Sequence, residues 1–157
     1  MTDEGGLLAP PPFSVRPANA LDIEALAAID RLAQTSSQRR EFIMRSVATG
    51  LCSVLVTPGS VPAGYGVLDY SFYEYGFVPL IYVDAAYRCR GAGRLLLGHL
   101  ETLCRTPKLF TSTNQSNLAM QALLLKMGYK LSGVIHDLDE HDPELVYVKY
   151  LSPTRQP

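Results

Sequence analysis

The sequence has no tryptophan, only three cysteines, no long apolar run and no surplus of charge of either sign. Each shortage excludes something. Cys52, Cys89 and Cys104 are odd in number and widely spaced, which argues against a disulfide framework and a clustered zinc site and leaves reduced thiols. No apolar stretch approaches the roughly 20 residues that a membrane helix needs. The start Met1-Thr2-Asp3-Glu4 lacks the basic residues of a signal peptide. Together these predict a cytoplasmic protein with no membrane partner. A net charge of −1 provides no broad basic face, which argues against a nucleic-acid partner. Apolar residues make up 47% of the 157 positions, so the chain is globular, and at this length it forms one domain that buries roughly two-thirds of its unfolded surface.

Periodicity divides the chain into elements. Residues 1–12, with Pro10-Pro11-Pro12, read as a flexible leader, residues 13–151 as one domain and residues 152–157 as a short tail. Phe13 to Arg16 reads as a strand stopped by Pro17. Asp22 to Leu32 reads as a helix with an apolar stripe at positions 23, 26, 29 and 32, and Ser36 to Thr49 as a second helix ended by Gly50. The pattern then becomes extended, with strands at Leu51 to Thr57, Ala63 to Tyr73 and Phe77 to Val83. A helix over Leu95 to Cys104, a strand at Lys108 to Thr113, a helix opened by Asn117, a strand near Tyr129 to Ile135 and a last strand at Leu145 to Tyr150 follow. No internal repeat or second domain interrupts this order.

The most informative segment is Arg88-Cys89-Arg90-Gly91-Ala92-Gly93-Arg94, between an apolar strand and a helix. Gly91 and Gly93 can take positive φ and carry no Cβ, so several backbone N–H groups can converge on one anion at the positive end of the next helix. Arg88, Arg90 and Arg94 add charge-assisted donors, with reach to a further phosphate, whereas Arg105 and Lys108 read as surface charge. A P-loop would need four residues between its glycines and then Lys-Ser or Lys-Thr, and a dinucleotide fingerprint would need a third glycine where Leu96 stands. What remains is Arg-x-x-Gly-x-Gly at Arg88, Gly91 and Gly93. Following Tyr82-Val83-Asp84-Ala85-Ala86-Tyr87, it resembles the acetyl-coenzyme A motif of the GNAT family of N-acetyltransferases. Downstream, Asn117-Leu118-Ala119-Met120-Gln121-Ala122-Leu123-Leu124-Leu125-Lys126-Met127-Gly128-Tyr129 resembles the second motif of that family. Ser116 or Asn117 suits its N-cap, Gly128 its C′ position, and residues 120, 123, 124 and 127 recur at helical spacing. The resemblance spans Phe13 to Leu151.

The resemblance implies an α/β (α+β) fold: a mixed, mostly antiparallel sheet of about six to seven strands flanked by helices. Its two central parallel strands, here Phe77 to Val83 and Lys108 to Thr113, splay to admit the pantetheine arm of acetyl-CoA as co-substrate. It further implies cofactor contacts from Ile81, Tyr82 and Val83, from Arg88, Cys89, Arg90, Gly91, Ala92, Gly93 and Arg94, and from Asn114 and Asn117. The activity implied is direct acetyl transfer to the primary amine of a small molecule or peptide within a ternary complex. A main-chain N–H near Ile81 to Val83 would then polarise the thioester carbonyl.

The chain also departs from the pattern. Where many members carry a tyrosine seven residues after the motif asparagine, as acid towards the departing thiolate, Leu124 stands. Water, Tyr129 or Tyr147 remain as substitutes, with Tyr129 also fitting the core, and Tyr82 is the polar member of the strand before the loop. The acceptor amine must lose a proton, and Glu74 or an acid of the later connection would take it through water. That connection, with Asp137, Asp139, Glu140, Asp142 and Glu144 and no Lys or Arg, either draws a cationic amine or is a solvated turn. Aromatics from Tyr65 to Tyr82 fill the sheet faces, stack on an acceptor at Tyr73 or Tyr75, or form a homodimer contact. A covalent route through Cys89 is disfavoured, because that thiol sits at the phosphate end. Leu124 and the missing base also suit a second reading, a non-catalytic acyl-CoA-binding sensor or interaction module.

Overall fold

The computed structural model describes residues 12–151, so the leader and tail, save Pro12, lie outside the described residues. The elements run β1 (Ser14–Pro17), α1 (Ile23–Ile29), α2 (Ser37–Ala48), β2 (Cys52–Val56), β3 (Pro62–Phe72) and β4 (Tyr75–Val83). They continue α3 (Ala92–Leu103), β5 (Lys108–Asn114), α4 (Leu118–Lys126), β6 (Lys130–Ile135) and β7 (Glu144–Tyr150). The strands form one sheet in the order β1-β2-β3-β4-β5-β7-β6, antiparallel at every pairing but β4 with β5. Among the described residues no helix is long and apolar enough to cross a membrane.

The sheet separates two cores. Leu26, Ala27, Ile43 and Val47 of α1 and α2 pack on Val54, Val56, Tyr65 and Val67. On the other face Leu97 and Leu100 of α3 and Leu124 of α4 pack on Leu68, Val78, Leu109 and Tyr147. The apolar positions of α3 recur every three or four residues, so one stripe of that helix is buried.

Two boundaries differ from the periodic reading. α1 stops at Ile29, because the extended residue Asp30 turns its carboxylate back to accept the N–H groups of Leu32 and Ala33. Leu32 therefore leaves the apolar stripe and is half exposed. α3 begins at Ala92 rather than Leu95, which draws Gly93 into the helix.

The corner between β1 and α1 is held by charge. The Arg16 guanidinium donates to both Asp22 carboxylate oxygens at 2.8 and 2.9 Å, and the Asn19 N–H donates to the same carboxylate. The Arg16 hydrogen bonds hold the Asp22 carboxyl below its ordinary pKa, against a smaller opposing effect of burial. A depressed carboxyl stabilises the fold above its unfolded pKa of roughly 3.9, and that stability fades as the pH falls through the folded value. Asp22→Asn should accordingly show its full deficit in urea unfolding near neutral pH and converge with the parent in acid. A deficit independent of pH would contradict this.

Candidate active site

The site begins where the sheet opens. β4 and β5 pair in parallel only at Gly76, Phe77 and Val78 against Leu109, Phe110 and Thr111. Beyond that point Leu80 to Val83 stay paired with β3, and Ser112 to Asn114 stay paired with β7, but neither segment pairs across the gap. Pro79 accounts for the change. It has no N–H for a ladder bond, and a proline within a sheet belongs at an edge or a bulge. The β3–β4 register shifts by one residue between Val67↔Leu80 and Asp69↔Phe77, which brackets Pro79 in a bulge. Val78 and Ile81, three apart, consequently pack on the α3–α4 side, while Leu80 and Tyr82 pack on the α1–α2 side. The Thr111 hydroxyl donates to the Val78 carbonyl at 2.8 Å and closes the crotch. Pro79, a proline inside an apolar strand, is a signal for this opening that is visible in the sequence.

Main-chain polarity along the gap follows from one bond. The Asp84 N–H donates to the Ala63 carbonyl on β3 at 2.9 Å. Residues of an antiparallel strand alternate the side to which both their polar groups point, so Tyr82 and Leu80 also face β3, and Ile81 and Val83 face the gap. Tyr82 is thereby corrected as a cofactor contact and as a catalytic candidate. Its main chain turns to β3, and its hydroxyl accepts the Arg31 N–H at 3.3 Å, bracing the link from α1 to α2.

The loop after β4 leads into an uncapped helix. No side chain caps α3, and its first internal bond runs from the Leu95 N–H to the Gly91 carbonyl. The N–H groups of Ala92, Gly93 and Arg94 therefore point out of the helix end without an intrahelical acceptor. Gly91 has φ of 78° and Cys89 of 62°, so the left-handed residues are Gly91 and Cys89 rather than Gly91 and Gly93. Gly93 serves packing instead: a Cβ there would come within 3.3 Å of the Leu123 side chain on α4. Arg88 donates its Nε–H to the Val83 carbonyl at 2.9 Å and lies over the Tyr82 ring, so it ties the loop to the end of β4. Arg90 and Arg94 are exposed beside the same concavity.

At the far end of the gap, both amide hydrogens of Asn114 are engaged, by the Asp139 carboxylate at 2.7 Å and the Asp142 carbonyl at 3.4 Å. Asn117 caps α4 by accepting the Met120 N–H. Asn114 thus commits its amide nitrogen, and Asn117 its amide oxygen, to contacts within the protein. Asp142 also accepts from the Ser116 N–H and hydroxyl, which anchors the acidic connection beside the open end of β5. Asp137 and Glu140 stay exposed.

Two catalytic candidates are removed by topology. Glu74 lies in the β3–β4 turn, at the closed end of the sheet. Seven residues of strand, about 23 Å, separate it from Ile81. Tyr129 is buried and donates its hydroxyl to Glu101 at 3.0 Å, while Lys149 binds the other oxygen of that carboxylate. Burial first, and then the Glu101 charge, raise its pKa far above the ordinary tyrosine value. The next residue, Lys130, pairs with Val148, which pairs with Phe110, so Tyr129 sits level with the closed part of the sheet. Tyr147 is buried in the core beneath α4, as is Leu124.

A cavity of about 300 Å³ opens on the α1–α2 side of the crotch. Its apolar wall is Leu32, Phe42, Pro79 and Leu80, and its polar members are Ser36, Gln38 and Arg39. Behind it lies Asp30, fully buried, which takes the Tyr65 hydroxyl and an ion pair with Arg39 at 3.5 Å. These residues are far apart in sequence, and nothing in their spacing announces the cluster.

Comparisons with known proteins agree with this geometry. The model of the Acetyltransferase (GNAT) family matches residues 23–129. A GNAT-family acetyltransferase from Bacillus cereus is 31% identical, with a TM-score of 0.82 over 88% of this chain and 96% of that one. An alanine N-acetyltransferase of a ribosomal protein from Escherichia coli is 20% identical, with a TM-score of 0.73 over 90% and 96% of the two chains. A Bacillus anthracis protein solved in complex with acetyl coenzyme A is 18% identical, with a TM-score of 0.58 over 63% and 61%. The last two share the fold alone. No curated protein sequence matches. A sheet split at Pro79, a helix left uncapped at Gly91 and a family match over most of the described residues lead to one conclusion: the chain belongs to the GNAT family of acetyltransferases.

Proposed function

We propose that this protein is an acetyl-CoA-dependent N-acetyltransferase that passes an acetyl group to a primary amine directly, within a ternary complex. The observation that carries this reading is the continuous path of unpaired main-chain groups. It runs from Ile81 and the Val83 N–H on β4, the Val83 carbonyl being held by Arg88, to the free N–H groups of Ala92, Gly93 and Arg94. A diphosphate would sit against that helix end, with Arg88, Arg90 and Arg94 around it. The pantetheine amides would pair with Ile81 and Val83 as an added strand does. Acetyl-CoA supplies an acyl thioester there, and the Ile81 N–H, the first past the bulge to face the gap, would stabilise the developing oxyanion. In the transfer a C–N bond forms as the C–S bond breaks, a proton leaves the amine for solvent, and the thiolate takes up a proton.

Relatives also inform the acceptor. The Escherichia coli neighbour is named for acetylation of an alanine amine. The cavity beside Pro79 and Leu80 reaches the crotch from the side opposite α3, which suits an amine that approaches the carbonyl across β4. The exposed Asp137 and Glu140 remain able to draw an ammonium towards the open end of the gap.

A second reading, acyl-CoA binding without turnover, has one observation in its favour: Leu124 places no hydroxyl where many family members supply an acid. Release of free thiol from acetyl-CoA, followed across polyamines, amino acids, aminoglycosides and peptide N-termini, separates the two. Release with any of them establishes the transferase. Tight binding with no release for all of them establishes the sensor. With an amine that is turned over, Glu74→Gln should keep kcat/KM within about twofold, since a general base is worth on the order of a hundredfold or more. A tenfold loss would return Glu74 to the site.

A further inference from the structure

The cavity at the crotch carries one charged side chain, and it is set up to meet a ligand. Arg39 lies in the first turn of α2 with its side chain 22% exposed. Its position is fixed from behind by Asp30. That carboxylate is already satisfied by the N–H groups of Leu32 and Ala33 and by the Tyr65 hydroxyl, so its contact with Arg39 is a 3.5 Å ion pair. Among the described residues no well-aligned hydrogen bond uses the Arg39 guanidinium, whose planar set of donors matches a carboxylate. The buried carboxylate keeps the Arg39 guanidinium near the cavity, which Arg39 lines together with Phe42 and Leu80.

From this arrangement we infer that the amine acceptor carries a carboxylate that binds Arg39 and an apolar group that rests on Phe42, Leu80 and Pro79. The acceptor class is thus an α-amino acid or a similar small amino carboxylate with an apolar side chain. The inference rests on the acetyl-transfer function proposed for this site. The volume, about 300 Å³, fits such a molecule and is at the small end for ligand pockets. It also differs from the cationic amine that one reading of the acidic connection implies. The acidic connection borders the open end of the gap, whereas the walled part of the site beside Pro79 presents a guanidinium.

The test compares matched probes on the full chain: L-phenylalanine and L-leucine, their carboxamides, and phenethylamine and isopentylamine, which lack the carboxyl group. Thiol release should favour the free acids over both other sets by about 30-fold in kcat/KM, the ratio expected of one charge-assisted pair of hydrogen bonds. In Arg39→Gln the acid-to-amide ratio should collapse towards one. Arg39→Lys should retain part of it, because the charge remains while the paired geometry is lost. A second readout does not need turnover. Calorimetry on the CoA-loaded protein should detect N-acetyl-phenylalanine, miss N-acetyl-phenylalaninamide, and lose the former in Arg39→Gln. Equal rates and equal binding for acid and amide in the parent protein would overturn the inference. Selective binding of the acid without turnover of any amine would sustain it and overturn the transferase function instead.

Discussion

Gly91→Val should weaken acetyl-CoA binding by about 100-fold in calorimetric titration and leave the protein folded. Gly91 sits at φ of 78°, where a side chain with a Cβ costs on the order of 1–3 kcal/mol and a β-branched one suffers most. A Cβ there meets nothing within 4 Å, so the penalty is conformational and not a clash. The chain relieves it by rotating out of the left-handed region, which turns the N–H groups at the start of α3 away from their common focus. Two charge-assisted bonds to a diphosphate, each worth roughly 1.5–3 kcal/mol, are then misaligned, enough for about two orders of magnitude in affinity. Gly50 provides the control. It has nearly the same φ, 73°, with equally open surroundings, but it ends α2, away from the loop. Gly50→Val should therefore destabilise the fold to a similar extent and leave acetyl-CoA binding as it was. Unchanged affinity in folded Gly91→Val would remove the phosphate role of this loop.

Asp30→Ala should cost about 3–5 kcal/mol of folding stability, read from urea unfolding. Its carboxylate has no exposure and serves three elements at once. It turns the chain after α1 through the N–H groups of Leu32 and Ala33, receives the hydroxyl of the fully buried Tyr65 on β3, and pairs with Arg39 on α2. Truncation leaves the buried Tyr65 hydroxyl without its acceptor and Arg39 without its counter-ion, and the penalty lies mostly in those two groups. Tyr65→Phe combined with Asp30→Ala should then recover part of the loss, because the hydroxyl that lacked an acceptor has gone. A loss below about 1 kcal/mol for Asp30→Ala would show that water replaces the carboxylate and that the cluster does not organise the cavity.

The elements and the glycine turn into α3 were legible because their signals are local. Apolar residues at helical spacing in α3 mark that element within a few residues. The glycine and arginine spacing from Arg88 to Arg94 encodes a turn into a helix, whatever the rest of the chain does. Even there one detail moved: Gly93 lies within α3, and its bareness answers Leu123 on another helix, 30 residues away. Glu74 was misplaced for a different reason. A turn at the end of an apolar strand looks the same whichever end of the strand opens, and Glu74 lies at the closed one. Tyr129 was ambiguous because its partners, Glu101 and Lys149, come from α3 and β7.

Local chemistry along the chain was enough to specify helices, strands, the glycine turn before α3 and the family they compose, since each depends on groups within a few residues of one another. Which end of β4 separates from its neighbour, and the meeting of Asp30, Arg39 and Tyr65 behind the cavity, arise from strand register and helix docking. Those contacts join residues up to 35 positions apart, where spacing along the backbone carries no trace of distance in space.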